Sequence, residues 1–354
     1  MEHEKIIDFY RKNQYFTRDQ LVKLLSDNTP EVLENLRTEA DQVRHENVGD
    51  AVHVRGIIEF SNNCIRRCSY CGINRNNDQV TRYRINTDIM VNTAKHAAQM
   101  GYKTLVLQSG DDFFYTGGML AEVISEIKNT GMAVTLAVGE RPVEDYRLWR
   151  EAGADRYLLK FETSDQELYA KLHPGTSLRI RLGCLKQLRD LGYQLGSGFM
   201  VGLPGQTIET LADDLLLMSA LELEMAGMGP FIPHPETPLG HDESGSVTLT
   251  LKVLALARLL MPWIHLPATT ALSSLEKDGR RLGLTGGANV LMPNLTPIEY
   301  RRLYEIYPHK AEILDTPEKL YHDTLSLIND LGRETAEDHG HGLMDKTQYS
   351  LINR

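Results

Sequence analysis

Three cysteines fall within eight residues, Cys64-Ile65-Arg66-Arg67-Cys68-Ser69-Tyr70-Cys71, in a chain of 354 residues that holds one other cysteine, Cys184. Thiolates crowded at the spacing Cys-x3-Cys-x2-Cys point at one metal centre, so the fold must hold this loop still. Zinc sites usually add a fourth nearby ligand and close a tetrahedron. Iron–sulfur clusters usually take four thiolates. Three thiolates with no fourth leave one iron of a 4Fe–4S cluster open to an outside ligand. A structural zinc knuckle, or three incidental thiols, is the plainer alternative.

Four cysteines, three of them crowded, do not make a disulfide framework, and a reducing cytoplasm suits them better. A hydrophobic content of 42% is enough for a real core. The formal net charge of -10 leaves no global basic field for a nucleic acid. Basic residues do cluster at Arg66, Arg67, Arg75, Arg82 and Arg84, beside the cysteines, where an anionic ligand would account for them. The N-terminus has no apolar signal region, and no apolar run approaches the roughly 20 residues that span a bilayer. The expectation is a cytoplasmic protein with neither nucleic acid nor membrane as partner.

Strand and helix patterns alternate along the chain. Residues 1–50 read as a helical cap, with Thr17 capping Arg18–Leu25 and a second helix over Pro30–Glu46. Residues 51–300 carry eight predicted strands, at 51–60, 103–108, 133–138, 156–161, 194–201, 226–231, 265–269 and 289–292, with helices between most of them. Such alternation implies a parallel sheet with right-handed crossovers. Eight units over about 250 residues match a closed (βα)8 TIM-type barrel, an α/β fold. An open, doubly wound sheet is the runner-up. Residues 301–354 read as a C-terminal helical extension, helical over Pro317–Leu331. Its end, Glu334–Arg354, is expected to be loosely ordered, with His339 and His341 solvated.

The cysteine spacing, with the aromatic Tyr70 just before the last thiol, is the radical S-adenosylmethionine (SAM) signature. The amino and carboxylate groups of SAM can chelate the open iron and set its sulfonium beside a one-electron donor. In parallel α/β folds, function collects at the C-terminal ends of strands, and the candidate motifs all fall there. Gln108-Ser109-Gly110 follows the second strand; its glycine suits close backbone approach, and its carbonyls can accept from an ammonium. Gly139-Glu140 follows the third. Glu162 ends the fourth and can accept from ribose hydroxyls. Gly202-Leu203-Pro204-Gly205-Gln206-Thr207 follows the fifth and suits a wall for adenine. Each has a bland reading: a βα turn, an acid at a helix N-terminus, a helix cap. Lys160 shares a face with Glu162 by period two. Arg181, on the next helix, either reaches a ligand carboxylate or is solvated. Cys184 reads as a small buried hydrophobe.

The segments VHVRGIIEFSNNCIRRCSYCGI, TLVLQSGDD, AGADRYLLKFET, GFMVGLPGQTI, MGPFIPHPETPL, LPATTA and GANVLMPNLTP carry a wider resemblance. Over nearly its whole length the chain resembles radical-SAM enzymes of the biotin synthase-like group, and within it the FeFe-hydrogenase maturases. The resemblance implies a 4Fe–4S cluster on Cys64, Cys68 and Cys71. It implies SAM contacts from Tyr70, Gln108, Ser109, Gly110, Glu162 and Arg181, with Met225 against the adenine region. Thr135, Thr269 and Thr270 would line a substrate cavity. The implied reaction is reductive cleavage of SAM to methionine and a 5′-deoxyadenosyl radical, acting on a small sulfur- or iron–cysteine-bearing substrate in hydrogenase H-cluster maturation. A flavodoxin- or ferredoxin-type electron donor and other hydrogenase maturases would be partners. Two departures stand out. No cysteine follows Cys184, so neither the second iron–sulfur site of some members nor the sulfur-donating cluster of biotin synthase can form. Strand four ends Leu159-Lys160-Phe161-Glu162, where Arg-His is expected before the glutamate. The alternatives are a methylornithine synthase-like mutase of the same group and a non-catalytic iron–sulfur carrier.

Overall fold

The computed structural model describes residues 2–311 and 313–343. Its strands are β1 (Ala51–Ser61), β2 (Thr104–Ser109), β3 (Ala133–Ala137), β4 (Arg156–Leu158), β5 (Gln194–Ser197), β6 (Met200–Val201), β7 (Met225–Ala226), β8 (Gly229–Pro230), β9 (Val290–Leu291) and β10 (Glu334–Thr335). The long strands are apolar and buried on both faces, as parallel strands covered by helices must be. A continuous parallel ladder runs β1–β2–β3–β4–β5–β7. Single parallel bridges, Met225 to His265 and Pro267 to Val290, carry it on to β9. β9 then pairs with β1 at His53–Val290 and Val54–Leu291, which closes the ring.

Four expected strands are altered: the fourth, over 156–161, stops at Leu158, and the sixth, over 226–231, splits into β7 and β8. The seventh, over 265–269, is reduced to those single bridges. The fifth breaks at Gly198, where a side chain would stand 2.2 Å from the Gly227 carbonyl oxygen; β6 and β8 then pair on their own beyond the break.

Helices form where the sequence caps them. Thr17 and Gln20 make a reciprocal capping box ahead of helix Arg18–Ser26. Asn86 caps Thr87–Met100, which ends at a left-handed Gly101. Helix Val247–Leu260 is apolar nearly all round, and every residue of Thr250–Leu259 is buried. Helices Arg18–Ser26 and Pro30–Val48 supply its outer cover. Its buried Lys252 donates to the carbonyl oxygen of Leu25 at 3.2 Å, and its Arg258 to that of Gly287 at 2.8 Å.

The C-terminal stretch corrects an expectation. As far as Leu343 it is not loosely ordered but closes the base of the ring. β10 pairs with β1 at Ala51–Glu334 and Val52–Thr335. Beyond it, Arg55 donates to the Gly340 carbonyl at 3.1 Å, Thr104 to that of His339 at 2.9 Å, and His265 to that of His341 at 3.1 Å. Arg156 also reaches the His339 carbonyl. Arg55 and Arg156 are fully buried inside the ring, and buried cations must find acceptors. The chain's own end supplies them. The side chains of His339 and His341 stay exposed. Residues 344–354 of the stretch lie outside the described residues. Among the described residues no helix is long and apolar enough to cross a membrane.

Candidate active site

At the C-terminal mouth the ring encloses a cavity of about 410 Å³. Tyr70, Cys71, Gln108 and Glu162 line it, as do Thr269 and Thr270 from across the barrel. The loop after β1 carries the cysteines and is clamped from inside. The Arg82 guanidinium donates to the carbonyls of Asn62, Ile73, Asn74 and Asn77, at 2.6 to 3.1 Å. Arg82 therefore shapes the loop with four of its five N–H donors.

Burial pushes the Cys64 thiol up to about 11 and Cys71 up to about 12. Cys68 is also raised, by burial and then by the neighbouring Cys71 and Cys64. The three thiols thus sense one another inside a low-dielectric pocket, and a cationic centre is what would let them ionise. Tyr70 closes the cavity side of the loop. His173, held near 4 by burial and by Arg181, is neutral. Its Nδ1 faces the Tyr169 carbonyl at 3.2 Å and must donate there, so its Nε2 accepts from the Tyr70 hydroxyl at 3.0 Å.

Behind the cavity runs a chain of alternating charges. Asp111 accepts from Arg66 Nε at 2.5 Å, Arg66 Nη2 donates to Glu140 at 2.9 Å, and Arg181 Nε donates to the other Glu140 oxygen at 2.6 Å. Arg181 is buried rather than solvated, and Nη1 also donates to the Lys160 carbonyl at 2.5 Å. Glu162 sits at φ +65°, a left-handed conformation that costs a residue with a side chain about 1–3 kcal/mol. Lys160 Nζ stands 3.0 Å from its Oε2 but off the line of a hydrogen bond, so that buried oxygen accepts none. As period two implied, both residues face the cavity.

Not every expected residue arrives there. Met225 lies lower in the barrel, against Gly196, and its sulfur accepts from Arg55 at 3.0 Å. Thr135 is fully buried in β3 with its hydroxyl unpartnered, away from the cavity wall. Conversely, the buried Glu59–Lys310 pair at 2.6 Å, with Asn294 donating to Glu59 at 2.7 Å, was invisible in the sequence. Its members are 251 residues apart. Glu140 carried a visible cue, its place at a strand's C-terminal end.

A sequence profile of the Radical SAM superfamily matches residues 58–218. The [FeFe] hydrogenase maturase subunit HydE of Thermotoga maritima is 48% identical over 325 residues, covering 92% of this chain and 93% of that protein. The chain belongs to the radical SAM superfamily. The 3-methylornithine synthase of Methanosarcina acetivorans is 31% identical over 291 residues, 81% of each chain. A crystal structure of methylornithine synthase superposes with a TM-score of 0.83 over 99% of both chains, at 26% identity. As a radical SAM enzyme, the protein uses a 4Fe–4S cluster and SAM.

The residues present fit both groups. Three half-buried thiols on one loop, close enough to oppose one another's ionisation, suit a cluster. The turn after β2 packs so tightly on the cysteine loop that a side chain at Gly110 would stand 2.3 Å from the Asn63 carbonyl oxygen and 2.7 Å from Cys64 Cβ. Glu162 Oε2, ion-paired with Lys160 at 3.0 Å yet accepting no hydrogen bond, offers a buried acceptor for a ligand hydroxyl.

Proposed function

We propose that this protein is a hydrogenase maturase of the HydE type, acting on a small sulfur- or iron–cysteine-bearing substrate. The observation that carries the reading is one cavity shared by Cys71, Glu162 and the opposite wall at Thr269 and Thr270. A carrier that hands a cluster to a partner has no use for such a chamber. The 48% identity to a HydE, against 31% to a methylornithine synthase, supports the maturase.

In this reading Cys64, Cys68 and Cys71 hold the cluster. When bound and reduced, it supplies the electron that splits SAM into methionine and a 5′-deoxyadenosyl radical. The chain's residues bind, orient and exclude water. The Gln108–Gly110 turn offers carbonyls to the SAM ammonium. Glu162 accepts from the ribose hydroxyls through Oε2, which pairs with Lys160 but accepts no hydrogen bond from the protein. Arg181, aimed by Glu140, stabilises the SAM carboxylate. The Tyr70 ring, held by His173, covers the cluster loop from the cavity side. Thr269 and Thr270 belong to the substrate half of the chamber. A flavodoxin- or ferredoxin-type protein would supply electrons in the cytoplasm, and other maturases would exchange substrate and product.

The test is anaerobic. Protein reconstituted with iron and sulfide, reduced with dithionite and given SAM should release 5′-deoxyadenosine. A Cys68→Ala protein that released as much would end the reading. Candidate iron–cysteine complexes, followed by mass spectrometry of adenosylated products, then identify the substrate. The close superposition on methylornithine synthase favours a second reading, which predicts 3-methylornithine as a product.

A further inference from the structure

Outside the cavity, the cysteine loop meets solvent in a second place. A cleft of about 280 Å³ is lined by Cys64 and Ile65 together with Arg75, Arg84, Asp111 and Asp112. Three large apolar side chains stand exposed around it: Ile65 at 47%, Phe113 at 45% and Phe114 at 55%. They are not loose. The Arg84 guanidinium lies 4.6 Å from the Phe114 ring centre, and that of Arg141 lies 4.4 Å from the Phe113 ring centre. Arg84 is fixed in turn by Asp112, at 2.8 and 3.0 Å. Backbone bonds stitch the patch together: Ile65 N–H donates to the Asp111 carbonyl at 3.1 Å, and Arg75 N–H to that of Arg66 at 2.7 Å.

The charge of the patch runs against that of the chain. The arginines of this stretch divide by role. Arg66 and Arg82 turn inward, to Asp111, Glu140 and loop carbonyls, while Arg67 and Arg75 are exposed and have no carboxylate partner among the described residues. Asp111 and Asp112 are buried and paired. The exposed carboxylate Asp78 acts on Arg82. A protein of net charge -10 therefore shows two free cations and a rigid aromatic pair at the outer side of its cluster loop. Aromatic residues and arginine mark the cores of recognition surfaces, and opposite charge raises encounter rates.

We propose that this patch, Ile65, Arg67, Arg75, Phe113 and Phe114, is the docking surface for a small acidic one-electron carrier protein. The proposal rests on the cluster assignment above. Cys64 lines the cleft beside the patch and belongs to the cluster loop, so a carrier seated here delivers its electron directly at that loop. One electron leaves the carrier's reduced cofactor and enters the cluster; no bond forms or breaks. Redox encounters use small interfaces.

The probe is a flavodoxin in its fully reduced form, mixed with anaerobically reconstituted protein. Affinity and the rate of cluster bleaching are measured against R67E/R75E, R67Q/R75Q and F114S. The double reversal should weaken binding about tenfold or more at low salt and flatten its salt dependence. R67Q/R75Q should fall between it and wild type, and F114S should weaken binding at every salt concentration. Dithionite-driven SAM cleavage and thermal unfolding should not change in any of them. Equal flavodoxin affinity and bleaching rates in R67E/R75E would overturn the docking surface. So would a concentration-dependent self-association of wild type that the same variant abolishes, because the patch would then belong to a second copy. If wild type fails to cleave SAM even with dithionite, the proposed function falls, and the affinity comparison still decides the docking site.

Discussion

The two ends of this barrel are both rich in buried charge and treat it oppositely. At the base, Arg55 and Arg156 are bound by carbonyls of the chain's own returning end, and His53 packs edge-on against His265 at 4.7 Å. At the mouth, Glu162 is held in a left-handed conformation with an oxygen that accepts no hydrogen bond, and Thr269 and Thr270 line the cavity. The base uses its polar groups for closure, and the mouth keeps some of them for a ligand. This matches the division of labour in parallel barrels, where the C-terminal face carries chemistry and the N-terminal face stability.

The contrast can be broken most sharply by changing one end and measuring what belongs to the other. Cys68→Ala at the mouth should reduce 5′-deoxyadenosine to background, with the melting temperature of the cluster-free protein unchanged. Ending the chain after Ala336 should do the reverse. Stripped of the tail carbonyls, two buried guanidiniums lose acceptors, and stability should fall by about 3–5 kcal/mol in chemical denaturation. SAM affinity, measured calorimetrically below the lowered melting point, should hold. If the truncated protein melted normally but lost SAM, the assignment of roles to the two ends would be wrong.

Glu162→Gly tests the mouth alone. Glycine relieves the left-handed backbone, so the protein should gain about 1 kcal/mol of stability, while SAM binding weakens about tenfold or more. A variant that lost both would show that Glu162 is structural.

The subtlest comparison is the response to pH. Asp214, on helix Ile208–Ala220, ties the loop after Glu162 to the loop after β6. It accepts from Ser164 N–H at 2.5 Å and from Gln206 Nε2 at 2.9 Å. Burial nonetheless raises its carboxyl to about 6. The folded state therefore binds the proton more tightly than the unfolded chain. Its contribution is complete below the ordinary 3.8 and is lost as pH rises through about 6. His53 runs the other way. Burial, and then Arg55, lower it to about 4, so its contribution is complete above the ordinary 6.5 and is lost as pH falls toward 4. Each is worth roughly 2–3 kcal/mol at most. Denaturant midpoints between pH 4 and 7 should lose their alkaline decline in Asp214→Asn and their acid decline in His53→Gln. Parallel curves for wild type and both variants would remove either group from the account.

Much of this was legible in the residues. The strand–helix rhythm and the caps at Thr17 and Thr207 are local patterns, read within a turn or two of chain. The gathering of motifs at strand ends followed from that rhythm. Lys160 and Glu162 were placed on one face by period two alone. The sequence does not choose between a ligand and solvent for Arg181, because its partner Glu140 lies 41 residues away on another strand's loop. Met225 packs against Gly196 and Arg55, off the cavity wall, and nothing in the sequence tells which layer of a barrel a short strand's side chain occupies.

The crowded thiols, and with them the kind of chemistry the chain can host, are a property of the sequence itself, because their spacing is covalent. So is the alternation that makes a parallel barrel, because apolar periodicity depends only on near neighbours. What the tertiary structure decided is which charges meet. Glu59 finds Lys310, Arg66 and Arg181 share Glu140, and the end of the chain returns to seal the base. A buried charge is satisfied by whatever donor or acceptor the closed ring brings within about 3 Å, and residues hundreds of positions apart become neighbours only when the ring closes.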